Sequence, residues 1–155
     1  MQGGNLAGGE IAFADAFEVS CSPAQAFALL DDPRRAAEWL CCVRIEQLSA
    51  GPRAVGSRMR YTFDHAGSRG DMEGAVTAYE RDRHLAMSYQ SASFEVAIDI
   101  RLEPVSGGTR IAETVSLRPR SLLGRITAPL VRSLTRRHAA CGVETLKRTL
   151  AQAGH

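Results

Sequence analysis

Over residues 94–102 the chain alternates without a break. Phe94, Val96, Ile98, Ile100 and Leu102 fall on one side, and Glu95, Ala97, Asp99 and Arg101 on the other. Successive side chains of a strand point to opposite faces, so a period of two predicts a strand with one face in a core and one in water. Antiparallel sheets commonly bury one face and wet the other, whereas parallel sheets are covered on both. Six other segments read as strands. Ile11, Phe13, Phe17 and Val19 begin the series, and Val43 with Ile45 follow. In residues 55–64, Val55, Ser57, Met59, Tyr61 and Phe63 face one way. Met72, Gly74 and Val76 lead another strand, Leu85, Met87 and Tyr89 the next, and Ile111, Val115 and Leu117 the last. Short turn-forming stretches at residues 64–70, 80–83 and 106–109 join several of them. Strands joined so closely are antiparallel neighbours, because a parallel pair needs a long crossover.

Helical signals stand in two places. Ser22 can cap a first helix, Pro23 suits its first position, and Phe27 and Leu30 share one side. Asp32-Pro33 restarts a second short helix that ends near Trp39 and Leu40. From about Leu122 onward the chain reads as one long helix, with Pro129 expected to kink it or mark its start. This helix carries two apolar stripes at ~100° per residue. Leu123, Ile126, Leu130, Leu134, His138 and Cys141 form one; Val131, Thr135, Ala139, Gly142, Val143, Leu146 and Leu150 form the other. A helix lying on one sheet needs only one stripe, so the other must meet something else.

The 155 residues, 45% hydrophobic and 23% charged, suit one globular domain. The reading assigns residues 11–153 to it and expects residues 1–10, small and glycine-rich, to be a flexible lead-in. No apolar run is long enough for a membrane-spanning helix, and no basic-then-apolar leader opens the chain. A cytoplasmic location is therefore expected, with Cys21, Cys41, Cys42 and Cys141 as thiols. Neither the cysteines nor the scattered histidines have metal-ligand spacing, so no metal and no cofactor is expected. Charge is uneven: residues 118–155 sum to +7, and residues 1–117 to −5. That basic helix reads either as a solvated face or as a contact for an anionic partner such as a phospholipid surface. No nucleic-acid motif accompanies it, so nucleic acid is not expected.

Four stretches in this order carry a resemblance. They are Val19-Ser-Cys-Ser-Pro-Ala-Gln-Ala-Phe-Ala-Leu-Leu-Asp-Asp-Pro with Trp39 beyond it, and Gly74-Ala-Val-Thr-Ala-Tyr-Glu-Arg-Asp-Arg-His-Leu. Leu102-Glu-Pro-Val-Ser-Gly-Gly-Thr-Arg-Ile and Val143-Glu-Thr-Leu-Lys follow. Over about residues 11–152 the chain resembles the polyketide cyclase/dehydrase and lipid-transport group of the START/Bet v 1-like (SRPBCC) superfamily. The resemblance implies an α+β helix-grip fold: a curved antiparallel sheet of six to seven strands wrapped around a long C-terminal α-helix. Two short helices follow the first strand, and a cavity lies between sheet and helix.

If that cavity exists, its apolar wall would include Met59, Tyr61, Phe63, Met72, Val76, Met87, Tyr89, Phe94, Val96 and Ile98 from the sheet. Thr135, Ala139 and Val143 would face them from the helix, along with Val131. Mostly small helix residues opposite methionines and aromatics leave an adaptable apolar space; the alternative is that the same residues simply fill a core. Two carboxylates break the inward alternation. Asp15 lies between Phe13 and Phe17, where a bulge would remove the conflict. Glu113 lies between Ile111 and Val115. It is expected either to hold a buried hydrogen bond or ion pair, the favoured outcome, or to serve as a polar handle for a ligand. It is also the one weak candidate for a catalytic acid, with Tyr61 or Tyr89 beside it. Trp39 and His138 read as packing residues.

Three functions fit this sequence. The first is binding or transport of a small hydrophobic ligand, a lipid, isoprenoid or polyketide-like molecule. The second is a polyketide aromatase, cyclase or dehydratase. The third is a quinone-chaperone-like module that uses the basic helix to meet an anionic membrane or a partner, with a homodimer through that helix as the other use of its second stripe.

Overall fold

The computed structural model describes residues 2–6, 9–41, 43–65 and 68–153. Strands β1 (Gln2–Leu6) and β2 (Glu10–Val19) open the chain. Helix α1 (Pro23–Asp31) and a 3-10 helix (Pro33–Glu38) follow. Then come β3 (Val43–Gln47), β4 (Arg58–His65), β5 (Ser68–Glu80), β6 (His84–Gln90), β7 (Phe94–Val105), β8 (Gly108–Pro119) and α2 (Leu122–Ala153). The eight strands form one sheet in the order β1-β2-β8-β7-β6-β5-β4-β3, and every pair is antiparallel. The helix-grip architecture expected from the sequence is thus present, and β2–β8 are the seven expected strands.

Three local expectations need correction. Gln2–Leu6, expected to be part of a flexible lead-in, pairs with Glu10–Ala14 as an added edge strand. No apolar alternation marks it in the sequence Gln-Gly-Gly-Asn-Leu. Val55 is 64% exposed and lies ahead of β4, which begins at Arg58; Gly56 at φ 88° turns the chain there. Pro129 lies inside α2, which starts at Leu122, so it does not mark the helix start.

The local signals explain the short helices. Ser22 accepts from the Gln25 backbone N at 3.2 Å, and Gln25 accepts in return from the Ser22 backbone N at 3.0 Å, closing a capping box ahead of Pro23. Asp32 accepts from the Arg34 backbone N at 3.0 Å and so starts the 3-10 helix. Phe27, Leu29, Leu30 and Trp39 are then buried against the sheet. In β5, a Cβ on Gly74 would collide with the Ser88 carbonyl of β6, so only glycine admits this close approach.

Helix α2 rests on β2 and β8 and on the 3-10 helix. Val143, Leu146 and Leu150 are buried in the main core with Phe17, Trp39, Met59 and Met87. The Thr149 hydroxyl donates to the Glu38 carbonyl at 3.0 Å, and the Lys147 ammonium stands 5.1 Å above the Phe17 ring. A covalent tie completes this junction. Cys41, just beyond Trp39, is disulfide-bonded to Cys141 on α2 with Cα atoms 6.1 Å apart. The expectation of free thiols at these two positions is corrected, while Cys21 is a buried free thiol. The two partners are 100 residues apart in sequence, and only packing of α2 on the 3-10 helix brings them together. Cys42 lies outside the described residues.

A cross-link that closes so long a loop restricts the unfolded chain, with a typical contribution of ~2–4 kcal/mol. Cys141→Ser, or treatment with a reductant, should lower the melting temperature without changing the far-ultraviolet circular dichroism. An unchanged melting temperature would mean that the bond contributes nothing to the fold.

Candidate functional site

The two halves of α2 meet the sheet differently. From Gly142 onward the inward side chains Val143, Leu146 and Leu150 are buried. Before Gly142, only Gly124 is buried, where the helix start crosses the Ser93 carbonyl. Val131 packs on a second small cluster of Ile11, Phe13 and Leu117, with Phe94 and Val96 at its edge. Between these two anchor regions the helix presents Thr135 and Ala139, both half-buried. Thr135 and Ala139 are short, and the helix that carries them rests on β2 and β8.

That geometry sorts the expected site residues into two groups. Met59, Met72, Val76, Met87, Tyr89, Ile98 and Val143 are buried members of the core. Tyr61, Phe63, Phe94, Val96, Glu113, Thr135 and Ala139 are half-buried, although all five sheet residues among them point to the concave face. For the first group, expected as cavity wall, the structure matches the alternative of a filled core. The second group keeps partial exposure, with Tyr61, Phe63 and Val96 packed against the edge of the core. Tyr61 and Tyr89 stand at the boundary, their ring centroids 5.0 Å apart at 49°. The Tyr89 hydroxyl donates to the Met87 sulfur at 3.2 Å, and burial pushes its pKa up. Burial, with the nearby Glu113, pushes the Tyr61 pKa up to about 12. Both phenols therefore stay neutral donors at physiological pH.

Asp15 and Glu113 are register partners across β2 and β8. The ladder between these strands runs without a shift from Ile11↔Leu117 to Val19↔Thr109, so the bulge expected at Asp15 is absent. Two carboxylates thus face each other on the inner face of the sheet. Among the described residues the Asp15 carboxylate accepts from the adjacent Ala16 backbone N alone, at 2.9 Å. Among the described residues no cation and no hydrogen-bond donor reaches Glu113. The ion pair favoured from sequence is not formed there. Burial first, and Asp15 second, raise the Glu113 pKa from 4.5 to about 7. Near neutral pH this group is a mixture of acid and carboxylate, able to donate to a ligand oxygen or accept from a ligand hydroxyl. Its polar neighbour across the face is the Tyr61 phenol.

Sequence reasoning missed a second polar group. Arg53, between β3 and β4, is buried, donates to the Leu30 carbonyl at 3.4 Å, and lies 3.6 Å from Asp31. Asp31 accepts from the Tyr79 hydroxyl at 2.8 Å. Burial lowers the Arg53 pKa, partly offset by Asp31. These residues border an open cleft of about 520 Å³ near the turn from β5 to β6, the sheet end opposite the start of α2. An arginine between two loop glycines gives no sequence signal of burial. Among the described residues no cluster of metal-ligating side chains is present. His138 on α2 is half-buried, and Trp39 is buried as a packing residue.

Residues 10–151 match the family model described as polyketide cyclase/dehydrase and lipid transport. No curated protein sequence matches the chain. Solved structures with the same fold include the Zhui aromatase/cyclase from Streptomyces sp. R1128. It superposes at a TM-score of 0.79 with 12% identity, covering 94% of this chain and 96% of that one. A START superfamily protein from Mycobacterium smegmatis gives a TM-score of 0.73 with 14% identity, over 92% and 98% of the two chains. Ara h 8.0201 gives 0.68 with 13% identity, over 93% and 99%. Identities this low establish likeness of fold.

The Glu113 geometry fixes the sign of a stability change. A carboxyl whose pKa is higher folded than unfolded holds its proton more tightly in the folded state. The fold therefore carries no penalty below about pH 4.5, and the full penalty once pH exceeds about 7. Residual water contact limits that penalty to on the order of 2 kcal/mol. Glu113→Gln should raise the melting temperature at pH 8 by several degrees and leave it nearly unchanged at pH 4.5. A lower melting temperature at pH 8 would reveal a counter-charge and restore the structural role.

Proposed function

We propose that this chain, which belongs to the polyketide cyclase/dehydrase and lipid transport family, binds a small hydrophobic ligand between the sheet and the first half of α2. The ligand class is a lipid, isoprenoid or polyketide-like molecule, and transport of it is the fuller form of the proposal. One observation carries the reading. On the inward row of the sheet Met59, Met87 and Tyr89 are fully buried while Tyr61, Phe63, Phe94 and Val96 keep partial exposure, and the first half of α2 carries the short, partly exposed side chains Thr135 and Ala139. Half-exposed Tyr61, Phe63, Phe94 and Val96 on a concave face are apolar surface that an apolar ligand would remove from water. Glu113 is the polar handle of this site, and Tyr61 is the second donor. Met59, Met72, Val76, Met87, Tyr89, Ile98 and Val143 back the wall.

A second reading is favoured by Glu113 itself. A carboxyl with a pKa of about 7, facing Asp15 and near a neutral phenol, suits a general acid for aromatase, cyclase or dehydratase chemistry on a polyketide-like substrate. The likeness of fold to an aromatase/cyclase supports it. Binding is placed first because it needs only the space and the handle. The exposed face of α2 adds a peripheral contact to either reading, with an anionic membrane or with a second copy. A cytoplasmic location is part of the proposal; there Cys41 and Cys141 would be held as a dithiol, which alkylation of the protein in intact cells would reveal.

Binding is tested with an anilinonaphthalene dye. The native protein should take it up with a blue-shifted, enhanced emission. Ala139→Phe, which fills the gap from the helix side, should weaken uptake on the order of tenfold, and Phe94→Ala should also change it. Equal uptake by all three proteins would rule out this site.

A further inference from the structure

Four of the five exposed large apolar side chains among the described residues crowd the start of α2. They are Leu122 at 73%, Leu123 at 63%, Ile126 at 69% and Leu130 at 65% exposure. At ~100° per residue these four share one side of the helix, and Gly124 and Val131 lie on the side that meets the sheet. The outward face is therefore apolar over its first three turns, where a helix packed on a single sheet would normally be polar. Arg125, Arg132 and Arg136 run along one flank of that face, and Arg137 follows Leu130 two turns further on. All four arginines are exposed, and among the described residues none has an acidic partner. No Asp or Glu occurs between Glu113 and Glu144.

Apolar side chains edged by unanswered arginines are the pattern of a helix that lies in a lipid interface. Charge selects the occupant. A second copy meeting this face symmetrically would bring two arginine rows together with no acid on either side. An anionic bilayer supplies phosphate and carboxylate groups to the arginines and acyl chains to the leucines. We propose that the first three turns of α2 dock on an anionic lipid bilayer, with Leu122, Leu123, Ile126 and Leu130 entering the interface and Arg125 and Arg132 meeting the headgroups. The surface stands on its own observations, while its purpose rests on the ligand-binding reading. This half of α2 covers the half-exposed cavity residues, so a docked molecule holds that space next to lipid, where an apolar ligand can enter without crossing water.

The test is sedimentation of the whole protein with phosphatidylcholine vesicles, with and without phosphatidylserine. Vesicles containing phosphatidylserine should carry the protein down, and added salt should release it. Arg125→Ala combined with Arg132→Ala should lower the vesicle affinity on the order of tenfold. Ile126→Asp combined with Leu130→Asp should abolish capture. These side chains are exposed, so both variants should melt like the unaltered protein. No capture by phosphatidylserine vesicles, or equal capture by phosphatidylcholine alone, overturns the proposal. So does a dimer that captures no vesicles and becomes a monomer in the Ile126→Asp, Leu130→Asp variant. Dye uptake without vesicles keeps the two readings apart. A protein that binds phosphatidylserine vesicles but takes up no dye would retain the docking face and lose the cavity.

Discussion

Everything that distinguishes this molecule from a filled helix-on-sheet core depends on where α2 is held. Burial of Val143, Leu146 and Leu150 presses its second half into the concave face, and the Cys41–Cys141 bond ties it to the chain end beyond Trp39. Helix α2 runs for 32 residues with Pro129 in its interior, and the sheet it lies on is twisted. The helix rests on β2 and β8, and Tyr61, Phe63 and Ala139 keep partial exposure.

The carboxylate pair gains its character from the same arrangement. Asp15 and Glu113 point inward because the β2–β8 ladder keeps register across them. Had α2 brought one of its arginines to this face, the pair would be an ordinary buried ion cluster. Its inward residues there are instead Val131, Thr135 and Ala139, while its arginines turn to solvent. Among the described residues no cation reaches Glu113, and its protonation relieves the charge. The helix thus turns its arginines to solvent.

Much of the fold was legible in the sequence because each inward face is written in its own strand. Residues 94–102 are the clearest case, and Ser22, Pro23 and Gln25 announced α1 by local hydrogen bonding. The alternation also put Glu113 on the inner face correctly. What stayed hidden depends on neighbours that a local pattern cannot name. The pairing of Asp15 with Glu113 needs the β2–β8 register between residues 98 positions apart, and the Cys41–Cys141 bond spans 100. The division of the expected wall into buried and half-exposed members depends on how α2 leans. Met59 and Tyr61 follow the same alternation on one strand, yet the first is fully buried and the second is not. β1 was missed because glycines and small polar residues leave no facial pattern at all.

The central claim is that Glu113 is an uncompensated carboxyl bordering a space that an apolar ligand fills. A carboxyl-carbon NMR titration of Glu113, with and without such a ligand, tests it most directly. The account predicts a midpoint at about pH 7 in the free protein, moved measurably when the ligand is bound. A midpoint at the ordinary value near 4.5, unchanged by the ligand, would contradict it.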